Sequence, residues 1–123
     1  MKTIVIAAML VASLGTASAQ EALETYRRKA MARDYDAQRD TALCFRTGKC
    51  VGSPVPNVIK ACAWRIVILG SGHGNVDASD GANYRDDCQS LSSDQERAVA
   101  LTQAQELFRD IYKRELPTDR LPP

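Results

Sequence analysis

The sequence predicts an all-α fold of about five helices held by disulfides, and three observations carry that prediction. Residues 21–47 contain no Gly or Pro and are rich in Ala, Leu, Glu, Arg and Lys, which is helix-forming material. Downstream, apolar residues recur at three- and four-residue steps, and no stretch alternates strongly enough to commit to a strand. Four cysteines in a short chain then offer cross-links where the hydrophobic core is modest.

The elements follow in order. A break is expected at residues 33–36, where Asp34 or Asp36 can cap a second helix. That helix would bury Ala37, Thr41, Cys44 and Phe45 in turn and stop at Gly48. Gly52, Ser53, Pro54, Val55 and Pro56 read as a loop, and Pro56 followed by Asn57 sets up a helix over 58–69. Its core face is Ala61, Trp64, Val67 and Ile68, and Gly70, Gly72 and Gly74 end it. A polar loop and a short helix over 81–89 come next. Ser92 to Gln95 fits a capping box, with Ser92 as the cap and Gln95 reaching back. A long amphipathic helix to about residue 114 follows, with Leu101, Ala104, Phe108 and Ile111 along one stripe. Residues 117–123 read as a flexible tail.

The first nineteen residues have the form of an export signal. Lys2 supplies a positive start, residues 4–14 are apolar apart from Ser13, and Ala17-Ser18-Ala19 offers a signal peptidase a small-residue site. The apolar run is about half the roughly 20 residues a spanning helix needs, so no membrane insertion is expected after cleavage near Gln20. Residues 20–116 then form one helical domain, periplasmic or secreted. The 16 Lys and Arg against 15 Asp and Glu give a charge of +1, and loss of Lys2 with the signal brings it to about zero. That balance argues against nucleic acid or anionic lipid as partner, since both are bound chiefly by excess positive charge. The basic cluster Arg27-Arg28-Lys29 follows Glu21 and Glu24 at helical spacing and reads as a solvated face.

Cys44, Cys50, Cys62 and Cys88 all lie beyond the signal, and an even number in a small exported chain reads as a disulfide framework. Three connectivities are open. The favoured one joins Cys44 to Cys50 as a local clasp and Cys62 to Cys88 as a long-range tie, worth roughly 3 kcal/mol by chain entropy. With no Cys-x-x-Cys pair and one histidine, His73, a metal site through these thiols is not expected.

Residues 37–48 resemble the first helix of a Sel-like repeat, a relative of the tetratricopeptide repeat. Ala37-Gln38, Ala42, Phe45 and Gly48 stand where that helix carries Ala-Gln, a small residue, an aromatic and a closing Gly. Val55-Pro56 matches the connecting loop, while Ala61-Cys62-Ala63-Trp64 and Gly72 are similar to the second helix. Residues 80–107 resemble the helix pair that often closes such arrays, with 91–95 at its turn. Thr41 replaces the usual Leu, the loop over 49–54 is expanded and carries Cys50, and only one repeat is recognisable where solenoids generally use three or more. The resemblance implies a helix-pair architecture, a core role for Trp64, and an adaptor that brings no catalytic residues.

The sharpest local signal for chemistry is the loop around His73 and the stretch from Asp77 to Asp86. Counted from Asn75, oxygen-bearing side chains fall at places one, three, five, nine and twelve, as in a calcium-binding EF-hand loop. Against this, Asp80 stands where the turn Gly is wanted and Asp86 replaces the bidentate Glu. Ser79 and Asp80 are natural helix caps, so a capped loop is the favoured reading. His73 could act as a general base oriented by Asp77 or Asp80, but a histidine between two glycines reads first as solvated. There is no Gly-x-Ser-x-Gly elbow and no phosphate-cradling glycine loop. Asp86 and Asp87 are adjacent on a helix and point to different sides. The expectation is a non-catalytic module, without cofactor or metal, that mediates interaction with another envelope protein. The alternative is a small periplasmic enzyme or ligand- or calcium-binding protein that uses the loop around His73 and the Asp77 to Asp86 stretch.

Overall fold

The computed structural model describes residues 22–53 and 55–123, and the export segment expected at residues 1–19 lies outside them. The chain runs through α1 (Leu23–Met31), α2 (Tyr35–Thr47), α3 (Val58–Gly70), α4 (Ala78–Gln89) and α5 (Asp94–Tyr112), then a 3₁₀ turn (Thr118–Arg120). Among the described residues there is no strand. No helix among them is long and apolar enough to cross a membrane.

Local signals set most boundaries. Asp34 caps α2 by accepting from the Ala37 N–H at 2.8 Å, and Asn57 caps α3 by accepting from the Lys60 N–H at 3.1 Å. Gly48 closes α2 at φ 64°, a left-handed conformation that favours glycine. A Cβ there would also lie 2.6 Å from the Pro56 nitrogen, so both backbone and space require glycine. Two starts differ from expectation. The cap of α4 is Asp77, in a reciprocal capping box with Asp80, so the helix begins at Ala78 instead of near Gly81. The cap of α5 is Ser93, accepting from the Glu96 N–H at 3.2 Å, while the Ser92 hydroxyl donates to the Glu96 carboxylate. Gln95 is exposed and makes no box.

Helix α3 is the hub. The run from Ala61 to Gly70 is apolar except for Arg65, and α2, α4 and α5 pack around it while α1 packs on α2. Of the expected core faces, Ala37, Thr41, Cys44, Phe45, Ala61, Trp64, Val67, Ile68, Ala104, Phe108 and Ile111 are all buried; Leu101 is only partly so. Fully covered alanines (Ala30, Ala42, Ala61, Ala63, Ala100 and Ala104) let the helices approach closely. The α1–α2 turn is tied to the end of α5 by two hydrogen bonds. Gln38 Nε2 donates to Tyr112 Oη at 3.1 Å, and Arg33 Nε donates to the Ile111 carbonyl at 3.1 Å.

Both favoured disulfides are present. Cys44–Cys50 clasps the end of α2 to the following loop, and Cys62–Cys88 joins α3 to α4. Such pairs fit an oxidising environment. The segment after α5, read from sequence as a tail, folds back over the end of α3. Leu116 is buried, Leu121 packs on the core, and Arg120 Nη1 donates to the Gly70 carbonyl at 3.4 Å. A Cβ at Gly70 would meet the end of the Leu116 side chain, so this return packs directly on the Gly70 backbone.

Candidate functional site

The loop singled out in the sequence folds mostly as helix. Ala78–Gln89 is helical, so positions four to twelve of the supposed calcium loop cannot wrap an ion. Its carboxylates are already engaged. Asp77 accepts from Ser79 N–H at 2.9 Å and from the Ser79 hydroxyl at 2.5 Å, and these bonds, the hydroxyl foremost, hold its carboxyl below the usual range. Asp80 is buried, and Asp86 is exposed on the outer face. Among the described residues no three His, Cys, Asp or Glu side chains gather into a metal-binding group.

His73 is exposed but not isolated. Its Nδ1 accepts from the Asn75 N–H at 3.0 Å, and its ring stacks on Tyr35 with centroids 5.0 Å apart and planes 12° from parallel. That nitrogen is therefore not aimed at Asp77 or Asp80, the orienting partners suggested by sequence.

What the fold builds instead is a ladder of charge between α2, α3 and α4. Asp80 and Asp87 stand seven residues apart on α4, two turns along one face, and both are buried. At the upper rung, Tyr35 Oη donates to Asp80 Oδ2 at 2.5 Å, the Asp77 N–H donates to the same oxygen at 3.1 Å, and Arg39 Nε lies 3.4 Å from Oδ1. At the lower rung, Arg65 Nε donates to Asp87 Oδ2 at 2.8 Å and Arg46 pairs with Oδ1. Asp80 Oδ1 accepts no hydrogen bond. Burial pushes the Tyr35 hydroxyl up to about 12, and the bond to Asp80 adds to the shift. Burial lowers the Arg65 guanidinium to about 10, with Arg39 and Arg46 repelling it and Asp80 pulling the other way.

One hollow borders this ladder and a second lies apart from it. A cleft of about 320 Å³ opens between α2, α3 and α4, lined by Asp36, Arg39, Asp40, Leu43, Arg65 and Asn83. On another face, a groove of about 190 Å³ is floored by Trp64, Ala63 and Phe45 and walled by Leu107 of α5. Its lining carries both signs of charge: Arg27 of α1 and Lys60 of α3, with Glu106 and Asp110 of α5. Lys60 Nζ sits 5.4 Å from the Phe45 ring centroid, so its stem covers apolar surface while the ammonium stays at the rim. Of the cluster read as a solvated face, Arg27 is exposed and also lines this groove.

Sequence reasoning passed over the ladder, although one signal was present. Arg65 is the single charge between Ala61 and Gly70, and a charge inside an apolar helix demands a buried partner.

The Tyr35 environment has a readable consequence. Among the four tyrosines, one is expected to ionise only near pH 12 in a titration followed at 295 nm, and Tyr35→Phe should remove that late step. Tyr35 keeps its proton more tightly folded than unfolded, where its value is 10.0. Its contribution to stability is therefore complete below pH 10 and lost as pH rises towards 12. Four tyrosines all ionising together near pH 10 would contradict the buried bond to Asp80.

Comparison with family models, with curated proteins and with solved structures finds no match to this chain.

Proposed function

We propose that this protein is a non-catalytic, exported helical module of the bacterial cell envelope, periplasmic or secreted, that binds a segment of another envelope protein in the groove over Trp64. The groove itself carries the reading. It combines aromatic residues with basic groups from α1 and α3 and acidic groups from α5, a lining suited to an amphipathic partner segment. The matching occupant places an apolar side chain against Leu107 and Phe45, acidic groups beside Arg27 and Lys60, and basic groups beside Glu106 and Asp110. Two disulfides among the described residues support an oxidising location. The Sel-like resemblance supports an adaptor role, and its packing positions Ala42, Phe45, Ala61 and Trp64 are buried.

Site-specific photocrosslinking in the producing cell tests this. A crosslinker at Leu107, on the groove wall, is expected to capture one defined envelope protein that a crosslinker at the exposed Thr102 does not. Reversing the acidic rim with Glu106→Lys and Asp110→Lys should abolish that adduct and leave the melting temperature unchanged, because both residues are exposed. Equal adducts from both positions, or an adduct indifferent to charge reversal, would refute the groove as the binding face.

A further inference from the structure

Helix α1 depends for its first turn on the loop that the Cys44–Cys50 disulfide closes. Its N-cap is Ala22, which has no side-chain oxygen, and no side chain caps the helix. The Leu23 N–H donates instead to the Val51 carbonyl at 2.8 Å. Val51 follows Cys50 directly, so the disulfide is the covalent tie that keeps this carbonyl in place. Little else in the loop is covered. Among the described residues from 49 to 56 only Ser53 is buried, donating from its N–H to the Cys50 carbonyl at 2.9 Å and from its hydroxyl to the Cys44 carbonyl at 3.3 Å. Lys49, Val51, Gly52 and Val55 are exposed.

The other end of α1 is anchored independently. Ala30 is fully buried, and its carbonyl accepts from Gln38 Nε2 at 3.1 Å. A helix of nine residues is too short to keep its first turn unaided, so loss of the clasp frays α1 at Leu23 and leaves Ala30 seated. Arg27 stands one turn after Leu23 and is the residue that α1 contributes to the lining of the Trp64 groove. Cys44 is buried, whereas Cys50 is partly exposed and open to an attacking thiolate.

We propose that the Cys44–Cys50 clasp is a redox switch on the Trp64 groove. Oxidised, it supplies the cap of α1 and holds Arg27 in the groove lining; reduced, it lets the first turn of α1 unwind and withdraws that charge. The switch rests on the groove reading given above. Its reductant is a protein dithiol. One thiolate of that dithiol attacks Cys50 Sγ, the S–S bond breaks, and Cys44 leaves as a thiolate that takes up a proton. The second thiol of the reductant then resolves the mixed disulfide and releases Cys50 as a thiol. Two electrons pass to the clasp, and the reductant ends as a disulfide. Cys62 and Cys88 are both buried, so their bridge between α3 and α4 is retained through the step.

The test compares three forms: the oxidised protein, the same protein with only Cys44–Cys50 opened by dithiothreitol, and Cys44→Ser with Cys50→Ser. In the last two, the NMR Cα shifts of residues 23–27 are expected to lose about half of their helical displacement while those of α5 keep theirs. In the producing cell, the adduct from a benzophenone crosslinker at Leu107 should fall about threefold in the serine variant, as for loss of one exposed charge contact. Adding Ala22→Asp to that variant gives α1 a side-chain cap that needs no loop, and should restore both the shifts and the adduct. Helical shifts in α1 that survive loss of the clasp, or that Ala22→Asp does not rescue, overturn the coupling. An adduct indifferent to the clasp overturns the switch. Absence of any Leu107 adduct from the oxidised protein is a different failure: it sinks the groove reading and the switch with it, while the α1 shifts, read without a partner, still decide whether the clasp caps the helix.

Discussion

Asp87→Ala is expected to destabilise the protein by about 3–5 kcal/mol, the range for breaking a buried pair by removing one partner. The cause is what remains behind. Arg65 stays nearly buried in an apolar helix with its Nε bond gone, while Arg46, 44 % exposed, turns to water at little cost. Stability of a domain this size is itself of order 5–15 kcal/mol, so the variant should unfold at a much lower urea midpoint or fail to accumulate. The double variant Arg65→Met with Asp87→Leu separates charge from packing. Replacing both partners by apolar groups of similar volume is expected to restore most of the loss, because a buried pair pays its own desolvation. An Asp87→Ala loss below about 1 kcal/mol, typical of an exposed ion pair, would show that the lower rung is solvated.

The second large effect concerns the disulfides, which differ in what they close. Cys62–Cys88 spans a sequence separation of 26 and joins two helices; Cys44–Cys50 spans 6 within one local turn. On the chain-entropy account, Cys62→Ala with Cys88→Ala should cost about 3.5 kcal/mol, and Cys44→Ala with Cys50→Ala about 2 kcal/mol. For a domain near 100 residues the first corresponds to a fall in Tm of about 15 °C or more. Access orders the reduction as well. Cys50 is partly exposed whereas Cys62 and Cys88 are buried, so dithiothreitol under native conditions should open the local clasp first. Equal losses for the two pairs, or reduction in the opposite order, would contradict this account.

The buried charge ladder was far less legible than the frame around it. Asp34, Gly48 and Asn57 were readable as helix punctuation because each acts on backbone within three or four residues of itself. The misplacements were local ambiguities of the same chemistry. Ser92 and Ser93 offer two registers for one cap, and the helix uses the second. Asp77 was passed over because its box partner is Asp80, where Glu or Gln is the familiar residue, and because Gly81 reads as a poor helix interior. His73 shows the limit from the other side. Its glycine neighbours announce exposure, which is correct, but nothing near it announces the ring of Tyr35 beneath.

The amino-acid order by itself determined the helical class, most caps and breaks, and the apolar faces of α2, α3 and α5; it favoured one of three cysteine pairings, which the folded chain then adopts. Periodicity, capping and loop closure depend on residues close in the chain or on chain length, and those are visible in one dimension. Only the tertiary structure decided which carboxylates lose water, which arginines they meet, and where clefts remain between helices. Those partners are separated by 45 residues for Tyr35 and Asp80, by 41 for Arg46 and Asp87, and by 22 for Arg65 and Asp87. Desolvation is set by whatever covers a group from outside its own helix, so an aspartate that reads as ordinary surface becomes the buried anchor of a charge ladder once α4 is laid against α3 and side chains of α2 reach it.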